Sequence, residues 1–483
     1  MNGSPHHSTD RGVPRPTLVL ALVAALLTGA AVLGAARPPA GKRPQEHRLT
    51  SASPPATGVS LVWTGEQNGH LEPCGCAKPQ LGGMLRRAGY LRAMPAGPSL
   101  RVDNGDLTEA RGRQDELKAE TSIQLLNQLG YAAINLGETD LRLGVPYLQY
   151  LAGSFKGALL CANARDPADR PLFRECLRRD FRVGKREVRV AVVGLLSDRY
   201  APEAEALNPG LKIAPASETL DRLRPALEGR DFVLLLFHGE PEEARQLAAG
   251  QGWISAVIAA HAAADEAGET PATGDGGGSG VAPQRGTRFL TVGRDGKYLG
   301  LAAMTPPPAA GGRARLARVR GVALGPETPE DPAAHGIEAV YLRRVAEEGL
   351  MDKLPRVPIS DGDHFVGTAA CKNCHPEPHR TWIGSAHSHA WATLVHVGHH
   401  RDPDCVGCHV VGLEYQGGFQ DAARTPQLKN VGCESCHHAA GRHAASPATV
   451  RPPNVGAAAC AACHVPDHSP GFDFARFWAK IRH

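Results

Sequence analysis

Four copies of C-x-x-C-H stand between residues 371 and 464: Cys371/Cys374/His375, Cys405/Cys408/His409, Cys433/Cys436/His437 and Cys460/Cys463/His464. In such a pentapeptide the two thiols can form thioethers to haem vinyl groups, while the following imidazole lies under the ring and ligates iron. Each copy therefore specifies one covalent haem c, four in all. Paired C-x-x-C knuckles also suit tetrahedral zinc, but zinc does not require a histidine directly after every second cysteine. A disulfide framework fails on the same repeated histidine. Eight of the twelve cysteines lie in this stretch, so cysteine chemistry belongs mostly to one module.

Residues 364–483 hold few long apolar runs and eleven further histidines, with ten Lys and Arg against eight Asp and Glu. Flat porphyrins replace the aliphatic core that a domain of this size otherwise needs, which predicts loops and short helices wrapped around the cofactors. Eight propionates would shift the balance toward acidic, suiting a redox partner with a basic docking face. After Met351 there is no methionine, so the module supplies no methionine axial ligand.

The segments "FVGTAACKNCH", "TWIGSAHSHAWATL", "DPDCVGCHVVG", "LKNVGCESCHHAAGRH" and "HSPGFDFARFWAKIRH" together resemble the tetrahaem cytochrome c-554 family, over the last quarter of the chain. The resemblance implies an extracytoplasmic electron carrier with closely packed haems, most ligated by histidine on both faces and one able to remain five-coordinate. It makes His387 or His389, His443 and His468 the candidates for distal ligands, with His483 behind them. His396, His399 and His400 read as a solvent-exposed cluster, His438 as a polar neighbour, and His364 and His379 stay unassigned. His443 is too near in sequence to pass round the ring attached at Cys433 and Cys436, a path of more than about 10 Å. It is therefore assigned to a neighbouring haem.

The elements upstream must carry and position this module. Arg11 and Arg15 precede the apolar run 17–36, which reads as an export signal or as an uncleaved membrane anchor. Either places the rest in the periplasm or on the outer face of the cytoplasmic membrane. Residues 37–58 are a Pro-rich tether. The net charge of +4 is spread among comparable numbers of acids and bases, which gives nucleic-acid binding no support. Extracytoplasmic redox donor and acceptor proteins are the expected partners.

From residue 59 to 324 short β-branched runs, among them 59–64, 99–106, 132–137, 188–195, 231–239 and 254–261, alternate with amphipathic stretches such as 115–129 and 217–228. This pattern predicts a layered α/β sandwich with functional residues where strands end. A flexible loop is expected over 262–286, two more strands in "TRFLTVG" and "YLGLAAM", a helix across 335–353 within a 325–363 linker region, and then the haem module from 364.

The segments "TGEQNGHLEP", "QLGGMLRRAGYL", "VDNGDL", "LGYAAINLGETDL", "LLFHGE" and "VIAAH" resemble, in order, the N-terminal domain of 5′-nucleotidases in the calcineurin-like metallophosphoesterase superfamily. That resemblance implies two metals on strand-end loops that activate water for attack on phosphorus. Its D-x-H is here Glu66-Gln67-Asn68, G-D survives as Gly105-Asp106, G-N-H-[DE] becomes Gly137-Glu138-Thr139-Asp140, and the closing G-H-x-H is reduced to Ala260-His261-Ala262-Ala263. Asp106, His238 and His261 remain, Glu66 and Glu138 keep ligand chemistry, and three imidazoles are lost. A divalent metal here is compatible with the residues. Thr139 replaces the histidine that assists the transition state, so the domain reads as degenerate. His70 in "GHLEP" is part of the family pattern or a satisfied loop histidine. Cys74 and Cys76 sit too close to bridge each other comfortably, and Cys161 with Cys176 is a candidate disulfide. The expected function is electron transfer, with a metal-dependent phosphohydrolase and a haem reductase or oxidase of a small nitrogen or sulfur compound as alternatives.

Overall fold

The computed structural model describes residues 58–74, 80–263, 267–269, 286–308, 312–359, 362–465, 468–469 and 471–483. The apolar run 17–36, the tether, Cys76 and most of the 262–286 loop lie outside the described residues, as does the side chain of Cys74. Among the described residues no helix is long and apolar enough to cross a membrane.

Val59–Thr64, whose side chains are all buried, is flanked on both sides and so takes a central place in its sheet. The first sheet runs in the order Arg315–Ala323, Tyr298–Thr305, Val59–Thr64, Ser99–Asp103, Ala133–Asn135, Ala158–Leu160. Pairing is parallel from Val59–Thr64 through Ala158–Leu160 and antiparallel across the other two strands. The second sheet runs Gly268–Glu269, Arg288–Thr291, Ala256–Ala259, Phe232–His238, Arg186–Leu196, Cys176–Val183, with parallel pairing among its four inner strands. Parallel strands buried on both faces need near-continuous apolar sequence, as in "FVLLLFH".

The inner faces meet in a core of Leu61, Trp63, Val102, Leu234, Ile258 and their neighbours. Helices Met84–Ala93, Arg113–Gln128 and Pro332–Glu347 cover the outer face of the first sheet, and Ala216–Leu227 and Pro241–Ala248 that of the second. Four layers, helix, sheet, sheet, helix, result. The edge strands Cys176–Val183 and Arg315–Ala323, the short Ala158–Leu160 and helix Met84–Ala93 have no counterpart in the sequence reading. The edges carry alternating charges such as "CLRRDFRV", because one face sees solvent.

Cys161 and Cys176 are free thiols, contrary to the expected disulfide. Cys161 is buried in the core on the outer face of the first sheet, whereas Cys176 packs against the outer core of the second. The two side chains pack into different apolar clusters.

The haem module is built of short helices, including Thr368–Cys371, Pro376–Ile383, Ala390–Val397, Pro403–Val406, Cys433–His437, Ala457–Ala461 and Phe474–Ile481. Its aliphatic core is small, centred on Leu394, Val406, Val411, Phe419 and Leu428. Within the third C-x-x-C-H, buried Glu434 accepts the backbone N–H groups of Gly367 at 2.7 Å and Ala440 at 3.0 Å, tying three chain segments together. Residues 52–483 form one compact unit.

Gly300 faces the Trp63 indole so closely that an added Cβ would lie 1.8 Å from the ring. Gly300→Ala is therefore expected to lower stability by about 1–3 kcal/mol through overpacking, read as a lower urea midpoint of the far-UV transition with the haem bands unchanged before it.

Candidate redox and metal centres

Five side chains of the α/β domain converge from the carboxyl ends of parallel strands: Glu66 follows Val59–Thr64, Asp106 follows Ser99–Asp103, Glu138 follows Ala133–Asn135, His238 ends its strand, and His261 follows Ala256–Ala259. Glu66, Asp106 and His261 hold positive φ angles of 46°, 57° and 49°, conformations that cost about 1–3 kcal/mol each and persist where the surroundings enforce them. At Asp106 the enforcing group is Asp140, while the Glu66 backbone N–H is held by the Gly105 carbonyl and that of His261 by the Glu66 carboxylate. The Asp140 carboxylate accepts the backbone N–H groups of Asp106 and Leu107, each at 2.8 Å, and of Gly137 at 3.0 Å. Burial and the adjacent Asp106 charge push the Asp140 carboxyl up to about 7 against those three bonds.

His238 donates from Nδ1 to the Asn104 carbonyl at 2.6 Å, which turns Nε2 toward Glu138 at 2.9 Å, Asp106 at 3.2 Å and the Nε2 of His261 at 3.1 Å. His261 Nε2 lies 3.4 Å from Glu138, and its Nδ1 lies 3.1 Å from Glu66. Burial opposes charge on His238, yet Asp106 and Glu138 hold its pKa well above the ordinary value. Burial likewise opposes charge on Glu138, and the two imidazoles hold it well below. The ligand atoms of Asp106, Glu138, His238 and His261 all lie within 4.8 Å of one another, and buried Glu66 Oε2 has no hydrogen-bond partner. Two imidazole nitrogens and two carboxylates, with the second imidazole nitrogen of His238 tied to a carbonyl, fit a divalent cation. Thr139 instead donates its hydroxyl to the Thr108 carbonyl at 2.5 Å, and the Asn68 amide donates to Asp295 at 3.1 Å.

In the haem module three motif imidazoles each face another histidine. His375 faces His443 with ring centres 6.0 Å apart, His437 faces His483 at 5.8 Å, and His464 faces His387 at 6.2 Å. An imidazole nitrogen sits about 2 Å from a bound first-row metal and the ring centre about 1.2 Å beyond it, so two imidazoles across one iron have centres about 6 Å apart. One imidazole of each pair is held through Nδ1: His443 by the Val450 carbonyl at 2.7 Å, His483 by the Ile481 carbonyl at 3.0 Å, and His464 by Ser469 Oγ at 3.0 Å. The residues present therefore fit haem iron. His409 is also held through Nδ1, by the Ala390 carbonyl at 2.7 Å, but among the described ring contacts no imidazole faces it.

The motif thiols are not enclosed alike. Cys371, Cys405, Cys408, Cys433, Cys436, Cys460 and Cys463 are half-buried, but Cys374 is exposed. The reason is local: Lys372, Asn373 and His375 beside it are exposed as well, so the turn after helix Thr368–Cys371 carries no protein layer over it. A thioether there would be covered by the porphyrin it carries rather than by polypeptide, so Cys374 keeps its place in the first motif.

The remaining candidates fall elsewhere. His389 follows His387 on one tight turn and points to solvent, and His468 stands against His70 of the α/β domain, ring centres 6.3 Å apart. His399 is 6% exposed, not part of a solvated cluster, because Gly398 at φ 88° turns it inward against the α/β domain. His396 is exposed and His400 half-buried. Asp140 and Asn104 were not singled out as site residues. The acid closing "GETD" was the available signal for Asp140, whereas Asn104 acts through a backbone carbonyl that no motif encodes.

An added Cβ on Gly137 would lie 2.0 Å from Asp106 Oδ1 and 2.6 Å from His238 Cε1. Gly137→Ala is expected to weaken Mn²⁺ binding at this centre about 10- to 100-fold, measured by calorimetry on the haem-loaded chain.

Residues 370–438 match the family described as cytochrome c554 and c-prime. Cytochrome c-554 of Nitrosomonas europaea is 34% identical over 88 residues, covering 15% of this chain and 37% of that cytochrome, so the chain spans well under half of this relative. The α/β domain superposes on the calcineurin-like phosphoesterase YfkN of Bacillus subtilis with a TM-score of 0.51 and 18% identity, over 60% of this chain and 98% of that one. A 5′-nucleotidase precursor from Thermus thermophilus aligns at 21% identity with a TM-score of 0.47, over 62% of this chain and 61% of that one. The chain thus joins a C-terminal cytochrome c554-type module, which implies covalent haem c, to an α/β domain with the metallophosphoesterase fold.

Proposed function

We propose that this protein is an extracytoplasmic tetrahaem electron carrier whose α/β domain is a docking platform rather than a phosphohydrolase. The observation that carries the reading is the set of three facing imidazole pairs at 5.8–6.2 Å, each joining one motif to a histidine outside it. Haem c supplies one-electron chemistry when bound; the chain's part is to attach, ligate and order the four groups. The ligand pairs are His375 with His443, His464 with His387 and His437 with His483, and bis-histidine ligation favours electron transfer over chemistry at iron.

The spatial order of the motifs follows from the thiols. Cys371 and Cys433 are within hydrogen-bonding reach, Cys436 lies beside Cys460, and Cys463 reaches Cys408. The motifs therefore run first, third, fourth, second. The last of them, at His409, meets no facing imidazole among the described residues and lies at the junction with the α/β domain. That position also supports the second reading, reaction of a small nitrogen or sulfur compound at the one open iron.

The junction is polar, buried at Asp402 and exposed at Asp404. Asp402 accepts from Gln114 at 2.7 Å and Tyr341 at 3.3 Å, and Lys118 pairs with Asp404. The α/β domain thereby holds the second haem site rather than trailing from it. Loss of the transition-state imidazole at Thr139, whose hydroxyl is committed to Thr108, argues against hydrolysis. The export segment 17–36 would deliver or anchor the chain at the periplasmic face, where donor and acceptor proteins meet it.

Protein matured in an export-competent host should carry four covalent haems by intact mass. His483→Ala should convert a single low-spin ferric haem to high spin by electron paramagnetic resonance, while His389→Ala and His468→Ala leave the spectrum unchanged. High-spin conversion by His468→Ala with none by His483→Ala would overturn the assignment. Cyanide should shift the Soret band of only one haem per chain, and no shift at all would remove the second reading. Mn²⁺-loaded protein should release no phosphate from AMP or p-nitrophenyl phosphate; metal-stimulated release would instead establish the domain as an enzyme.

A further inference from the structure

A second convergent donor set lies outside the centre described above, where the α/β domain meets the haem module. Glu72 comes from the loop after the first central strand, Glu338 from helix Pro332–Glu347, and His399 from the turn after helix Ala390–Val397. One carboxylate oxygen of Glu72, one of Glu338 and an imidazole nitrogen of His399 lie within 4.8 Å of one another.

The imidazole is oriented as in metal sites. His399 Nδ1 is 3.3 Å from Asp402 Oδ2, and Asp402 is itself fixed by Gln114 and Tyr341. A histidine donating Nδ1–H to a held carboxylate presents the Nε2 lone pair on its other side. That Nε2 faces Glu72 Oε1 at 2.7 Å, a separation at which two acceptors need a proton or a cation between them.

A second observation comes from Glu338. Its side chain is 9% exposed; Oε2 lies 3.4 Å from His335 Nδ1, buried Oε1 meets no protein donor, and the Glu72 carboxylate stands within hydrogen-bonding reach of Glu338. A buried carboxylate oxygen left unpaired is costly. Three acids, Glu72, Glu338 and Asp402, surround the His399 imidazole here, with Lys118 near Asp402 as the neighbouring cation. Glu72, with 38% of its side chain exposed, supplies a path from solvent.

We propose that Glu72, Glu338 and His399 bind a divalent first-row cation, with Asp402 as the carboxylate that orients the histidine. Two carboxylates and one imidazole suit Mn²⁺ or Zn²⁺ with open positions filled by water. The site pins the two domains together. It also sets a positive charge one imidazole away from a haem attachment point, since His399 Nδ1 is 3.6 Å from Cys405 Sγ.

The test is a Mn²⁺ titration of the haem-loaded full chain, following loss of the free-ion paramagnetic resonance signal. Wild type should bind one more equivalent per chain than Glu338→Gln, and the same difference should persist when both carry Asp106→Asn, which disables the other centre. Glu72→Gln, half exposed and tolerant of change, should lose the same equivalent if Glu338→Gln proves poorly folded. Equal Mn²⁺ uptake by wild type and both glutamine variants, with unchanged circular dichroism, would overturn the proposal and identify the cluster as carboxylates sharing a proton.

Discussion

Two buried amides hold the two sheets in register at the ends where the chemistry sits. Asn135 Nδ2, on the first sheet, lies 3.0 Å from the Leu195 carbonyl and 3.3 Å from the Leu236 carbonyl of the second, and 3.2 Å from Asn104 Oδ1. Asn104 donates onward to the carbonyls of Phe237 at 3.0 Å and Ile258 at 3.2 Å. Buried amides cost free energy unless paired, so the core tolerates them only in this one alignment. That alignment brings Asp106 and Glu138 of one sheet against His238 and His261 of the other. Slip the sheets and the centre disperses.

The same logic of paired buried polar groups governs the join between the domains. Helices Arg113–Gln128 and Pro332–Glu347 turn their apolar faces to the sheet and offer Gln114, Lys118, Tyr341 and Glu338 to the haem module. Asp402 and His399 answer from the other side. A surface ion pair contributes little, but a buried network that is satisfied in only one arrangement specifies that arrangement. The segment from Asp402 to His409 therefore belongs to both the interface and a haem attachment motif.

In the haem module the aliphatic core is small, and polar contacts tie its segments together. Glu434, between the two cysteines of the third motif, gathers backbone N–H groups from residues 366–367 and 440. Facing imidazoles tie the first motif to residue 443, the third to residue 483 and the fourth to residue 387. Cross-links of this kind run between segments far apart in sequence, so a short polypeptide is held at many points.

The sequence by itself determined the local chemistry. The four C-x-x-C-H motifs, the alternation of apolar strands with amphipathic helices, and the carboxylates and imidazoles at the strand ends are all properties of neighbouring residues, and each is legible in the sequence. Most strands fell where β-branched runs placed them, while the solvent-facing edge strands did not, because alternation with charge looks the same in a loop. Only the tertiary structure decided which histidine faces which, since His443, His483 and His387 owe their positions to chain segments packed from elsewhere. Nor did spacing reveal His399, which reads as a surface histidine until Glu72 and Glu338, hundreds of residues and tens of residues away, close over it. Ligand identity is written in residue type, but ligand pairing is a distance, and distance between remote residues exists only in the folded chain.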